Sequence, residues 1–209
     1  NEVDHVMDNY SLRDPDPTSS MPMPMASNVG DTSQGGRVAL TWQQDRWELT
    51  AGVDGRQSEH RRRSAMGKGA YRAQPWTEDA RFRTFGVFAE SHWHLDEVHH
   101  LMSGVRIDRA QVDDLRASIG SGAMAMPNPT AGQRRSDTLP GGFVRYEHDM
   151  GSALGWYAGI GHAARMPDYW ELFSPNRGPA GAANAFAGVQ PERTTQLDAG
   201  LQYRRGNLE

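Results

Sequence analysis

The 209-residue sequence contains no cysteine, which excludes a disulfide scaffold, a zinc–thiolate site and a cysteine nucleophile. It has no stretch near the roughly 18 consecutive apolar residues of a membrane helix, so it is not an α-helical membrane protein. Hydrophobic residues make up 37%, under the roughly 45–50% of ordinary globular domains, and a large single core would be short of material. A basic excess is missing too; the net charge of -4 argues against a nucleic-acid partner. G-x-S-x-G, H-E-x-x-H and P-loop motifs are absent, and no acidic pair stands out as catalytic. The Gly159-Ile160-Gly161 triplet lies within a strand pattern, with no helix to follow, so it is not a dinucleotide fingerprint. Its glycines are expected to let neighbouring groups approach closely. We therefore expect no enzyme. No signal peptide precedes Asn1, and the chain reads as a piece of a longer protein.

What is present is alternation with a period of two. Val38, Leu40 and Trp42 oppose Arg37, Ala39 and Gln43, and Trp47, Leu49 and Val53 oppose Glu48, Thr50 and Asp54. The same pattern returns around Phe85–Trp93, Leu101–Ile107, Val144–Tyr146, Leu154–Ile160 and Leu197–Tyr203. Side chains of a strand point alternately to opposite faces, so each segment predicts a one-sided strand. Seven strands are expected, with a partial one leading to His5. Short turns are predicted at Gln44–Arg46, Asp96–Val98 and Asp149–Ser152. Long polar or Pro/Gly-rich loops are predicted at about 8–36, 61–80, 111–137 and 166–191. Soluble domains rarely carry several loops beyond about 12–15 residues. Short turns at one end and long loops at the other are the pattern of an outer-membrane β-barrel.

Tryptophan placement supports that reading. Trp42, Trp47, Trp93 and Trp156 flank the short turns and fall on the apolar faces of their strands. In a barrel this gathers them at one membrane interface, where an indole is both solvated and buried in part. A soluble sandwich would give no reason to collect them there. Glu48, Asp54, Glu90, Arg106, Asp108, Arg145 and Asp198 fall on the opposite faces, which suits a wet or plug-filled lumen better than a dry core. Seven or eight strands could close a small barrel, but this many long loops on one rim favour an open arc of a larger one.

Methionine is unevenly placed. Met7, Met21, Met23, Met25, Met66, Met124, Met126 and Met166 lie in or beside the predicted long loops. Thioether sulfur is a soft ligand suited to Cu(I), and imidazole accepts either copper oxidation state. Met21-Pro22-Met23-Pro24-Met25 offers three thioethers at alternate positions on a segment that proline keeps extended, and Met124 with Met126 repeats the arrangement. Low-complexity filler is the plainer reading of both runs. His5 and Met7 stand two residues apart on an extended chain, so both can face one ion. His92, His94, His99 and His100 surround the second short turn, with His148 near the third; they are read either as polar filler or as a second metal group. Arg61-Arg62-Arg63 reads as solvated or lipopolysaccharide-facing charge.

The segment Gly161–Leu172, with Arg165-Met166-Pro167 at a strand end, and the segment Gln190–Tyr203, opened by Pro191-Glu192, resemble the late-barrel signature of TonB-dependent outer-membrane receptors. The form Pro-Asp-Tyr-Trp-Glu-Leu, the Thr-Thr-Gln-Leu-Asp run and the opening stretch Val3–Arg13 resemble the copper-receptor branch of that family. The resemblance implies an all-β, antiparallel transmembrane barrel of 22 strands, of which residues 1–209 would be a partial barrel domain with short periplasmic turns and long extracellular loops. Plug domain, signal peptide and remaining strands would lie outside this segment. It further implies copper as the transported ligand, TonB as the partner through the plug, and the outer membrane of a Gram-negative bacterium, with its lipid and lipopolysaccharide, as the location. His5 and Met7 match the barrel half of the branch's copper site, whose other half is a cysteine and a methionine of the plug. Arg165, Pro167, Pro191 and Glu192 would be structural. Capture of copper by the loop methionines follows from ligand softness alone. The competing expectations are a receptor for an iron–siderophore or vitamin-type chelate, and a passive structural or adhesin barrel.

Overall fold

A computed structural model of the chain describes residues 1–119, 125–151, 153–173 and 185–203. Its strands are β1 (Glu2–Asp8), β2 (Met25–Gln44), β3 (Trp47–Met66), β4 (Thr77–His94), β5 (His99–Asp114), the two-residue β6 (Ser118–Ile119) and β7 (Met126–Pro127), β8 (Arg134–Asp149), β9 (Leu154–Arg165) and β10 (Glu192–Tyr203). Eight of them form one antiparallel sheet in the order β1-β2-β3-β4-β5-β8-β9-β10, while β6 and β7 pair only with each other. Neighbours in the sheet are neighbours in sequence except at β5–β8, which the β6–β7 pair separates, and β1 and β10 are its edges. This is an unclosed arc of barrel wall, as the alternation predicts.

The pairing registers carry the faces across the sheet. Val53 lies opposite Val87, which lies opposite Ile107, and Ile160 lies opposite Leu197. These outward residues are exposed, Leu197 by 78% and Val105 by 64%. So large an apolar surface needs a partner, and in a barrel that partner is lipid. Trp47 stacks on Trp93 with ring centroids 6.0 Å apart, and Trp156 packs 5.4 Å from Tyr146, all on the outward face at the short-turn end. The expected tryptophan girdle is present.

Three of the four long connections are shorter than the sequence predicts, while the fourth, 166–191, has the predicted bounds. Residues 9–24, 67–76 and 115–133 join the strands, because β2 and β3 each run for 20 residues. A membrane strand needs only about 9–11 residues. Along β4 the outward apolar set ends at Phe85; beyond it Arg83 bonds Asp113 at 2.9 Å, and Asp113 also bonds Arg134 at 2.6 Å. Above the lipid the outward face of the ladder is polar and wet, so backbone pairing continues after the hydrophobic alternation stops. That loss of pattern makes the upper strands read as loop.

The apolar core is small and lies on the lumen face at the long-connection end. Ala80, Val112, Leu172, Phe173 and Phe186 form it, with Phe173 and Phe186 stacked at 5.7 Å. Part of the predicted 166–191 loop is therefore folded. It carries the short helices α1 (Tyr169–Phe173) and α2 (Ala185–Gly188), and α1 is opened by a reciprocal cap between Asp168 and Glu171, both bonds 2.8 Å. Of the two expected close-approach glycines, Gly159 qualifies, since a β-carbon there would stand 2.8 Å from the Asp198 carboxylate. Gly161 has ordinary room.

Candidate functional site

Strand β1 pairs with the upper part of β2, setting His5 opposite Val29 and Met7 opposite Ser27. These positions share the parity of Arg37, Ala39 and Gln43, so His5 and Met7 face the lumen side of the wall. The same face holds Met25, directly opposite Met66 on β3. Met25 lies two residues along β2 from Ser27, a diagonal neighbour of Met7, within reach of long side chains. One imidazole and three thioethers thus share the rim of three adjacent strands. Met25 and Met66 are strand residues, not loop residues. Spacing alone could not pair them; only the β2–β3 register does.

Asn9 fixes the methionine-rich segment. Its side-chain amide donates to the Met23 carbonyl at 3.1 Å and to the Met21 carbonyl at 3.5 Å, and its carbonyl accepts the Met25 N–H at 2.9 Å. Just before it, Asp8 accepts the Tyr10 and Ser11 N–H groups at 3.0 and 2.7 Å and closes the turn out of β1. Met21 and Met23 are each 55% exposed, so their sulfurs are open to solvent while their backbone is held. Met126 lies in β7, in the connection between β5 and β8, apart from this rim by its strand position. Met124 lies outside the described residues. Among the described residues no three His, Asp or Glu side chains converge to hold a metal ion.

The Arg165–Glu192 positions form a clasp. Arg165 lies opposite Glu192 and donates to it at 2.5 and 3.0 Å, and it grips Glu171 with two bonds of 2.9 and 3.0 Å. Pro167, buried, and Pro191 start and end the folded connection. These groups position the helices against the sheet. A second clasp joins α1 to the wall: buried His60 and Asp79 share a 2.6 Å bond, Tyr169 donates to Asp79 at 2.7 Å, and the Tyr169 and His60 rings stack at 3.5 Å. Burial first, then the Asp79 charge, pushes the Tyr169 hydroxyl above its ordinary range. No sequence motif marks the His60–Asp79 pair, whose members stand 19 residues apart.

The histidines near the short turns divide by face. His99 and His148 stack at 4.5 Å on the outward side beside Tyr146, whereas His92, His94 and His100 share the lumen side. The sequence expectation of one four-histidine group is thereby corrected: adjacent residues of a strand point to opposite faces.

The lumen face elsewhere carries paired charge. Arg106 makes two 2.7 Å bonds to Asp54 and bonds Asp108 at 2.6 and 2.7 Å.

Comparisons with known proteins agree with this geometry. Residues 4–209 match the family described as TonB dependent receptor-like, beta-barrel. Comparison with curated proteins yields no match. Among solved structures, one titled "Copper transporter OprC" superposes with a TM-score of 0.92 at 51% identity, over 98% of this chain. The chain spans 32% of that protein's length. With nearly all of its sheet inside the matched region, the chain belongs to the family of TonB-dependent receptor-like β-barrels.

Proposed function

We propose that the receptor to which this wall belongs imports copper across the outer membrane of a Gram-negative bacterium. The reading is carried by one observation: His5, Met7, Met25 and Met66 share the lumen face of β1–β3 at the long-connection end. Thioether and imidazole donors favour copper over the hard ions that carboxylates hold. The likeness to a copper transporter supports the same cargo.

The mechanism has three steps. Met21 and Met23, exposed on a segment tied down by Asn9, raise the local copper concentration at the rim. His5 and Met7 then bind the ion together with ligands of the plug. TonB-driven rearrangement of the plug finally separates the two ligand sets and frees the ion inward, a switch between two arrangements. Outside the wall, Arg61 and Arg63 flank the Trp76 ring at 4.7 and 4.4 Å and face the lipopolysaccharide layer as its cationic contacts.

Copper uptake by cells lacking the native receptor tests the reading. Cells given the complete receptor should accumulate copper in a TonB-dependent way, and cells given its His5→Ala/Met7→Ala form should not. Equal accumulation by both, or uptake of an iron–siderophore instead of copper, would overturn it.

A further inference from the structure

The lumen face holds a second group of soft donors, at the opposite end from His5 and Met7. His94 on β4 lies opposite His100 on β5, and two residues along the ladder His92 lies opposite Met102. All four share one face. The Nδ1 atoms of His94 and His100 stand 2.9 Å apart. Two imidazole nitrogens on one tetrahedral ion, at bonds of about 2.0–2.1 Å, stand about 3.3 Å apart, so a shift of a few tenths of an ångström admits an ion between them. His100 also has a carboxylate behind it. Its Nε2 lies 3.4 Å from the Asp149 carboxylate. A carboxylate behind a histidine is the usual support of a metal-bound imidazole. Met102 borders the lumen hollow of about 700 Å³ above this pair, and an open cleft of about 600 Å³ lies beside His94 on the other side.

From this we infer a copper site at the inner end of the lumen, held by His94 and His100 and completed by the Met102 thioether. The ion replaces the proton shared by the two Nδ1 atoms; the ring that gives up that proton takes one from solvent at its Nε2, so both imidazoles bind as neutral ligands. His99 and His148, on the outward face, take no part. The identity of the cargo rests on the function proposed above; the site itself rests on the geometry of β4 and β5. It gives an ion released from the rim a landing place before it leaves the barrel.

The test uses the complete purified receptor with His5→Ala/Met7→Ala, so that the upper ligands are absent, and copper(II) sulfate as the probe. Metal analysis after desalting should find one retained copper, and its electron paramagnetic resonance spectrum should show nitrogen coupling. Adding His94→Gln/His100→Gln should remove both signals. Asp149→Asn, which leaves the ligands in place, should weaken binding about 10–100-fold. Heat-modifiable gel mobility checks that each variant is folded. An unchanged copper content and spectrum in folded His94→Gln/His100→Gln protein would overturn the inner site. The reverse pattern, with His94→Gln/His100→Gln alone abolishing all copper and His5→Ala/Met7→Ala losing none, would uphold the inner site and overturn the upper one.

Discussion

Tyr169 illustrates how a single side chain fastens a folded connection to the wall. Its hydroxyl donates to Asp79 and its ring covers His60, so Tyr169→Phe loses one hydrogen bond and keeps the stack. A loss of about 0.5–1.5 kcal/mol is expected, read from chemical unfolding of the complete receptor. Because the folded state holds the phenolic proton more tightly than the unfolded state does, this contribution is complete below the ordinary tyrosine value of 10.0 and fades as pH rises above it. Spectrophotometric titration should therefore find one tyrosine that ionises late and is missing from Tyr169→Phe. Ionisation of all tyrosines near their ordinary value would refute the clasp. That His5 and Met7 share one face was legible in the sequence, because an i, i+2 pair on a strand needs no tertiary information. That Met66 lies opposite Met25 was not legible, because it depends on a register spanning 41 residues.

At the scale of the strand, the boundary between lipid and water is written on the outward face. Phe85 to Trp93 on β4 spans about nine residues, the length one tilted membrane strand requires. Val87 lies inside that band, and Gln111 lies above it at the level of Arg83. Val87→Arg should destabilise the folded receptor by up to about 2–4 kcal/mol in lipid, whereas Gln111→Arg should be near neutral. Equilibrium refolding into vesicles measures both, and equal effects would contradict the assigned band. The strand cores were legible because lipid enforces alternation there, and the short turns because they interrupt it. The upper strands were not legible, since Gln57, Arg83 and Asp113 are polar on a face that only water touches. The lumen-side core escaped notice for a different reason. Leu172, Phe173 and Phe186 are few and are supplied by short helices within a connection that reads as polar loop.

For the molecule as a whole, the decisive feature is an arc with two open edges. Among the described residues, strands β1 and β10 are the two ends of the sheet, each with a neighbouring strand on one side, and the outward face offers a broad apolar surface. Residues 1–209 produced alone should therefore aggregate or remain unfolded in detergent; a monodisperse, heat-modifiable species would show that the arc is self-sufficient. Within a closed barrel the same arc becomes wall, with soft donors near both ends of its lumen face. What the upper donors hold decides the cargo of the receptor. The most direct measurement is the copper content of the complete receptor, purified from copper-supplemented cells, beside its folded His5→Ala/Met7→Ala form. Outer-shell changes alone weaken metal binding about 10–100-fold, so removing two direct ligands should exceed that and strip the upper copper from the double variant. Equal copper in the two proteins would contradict the assignment of His5 and Met7.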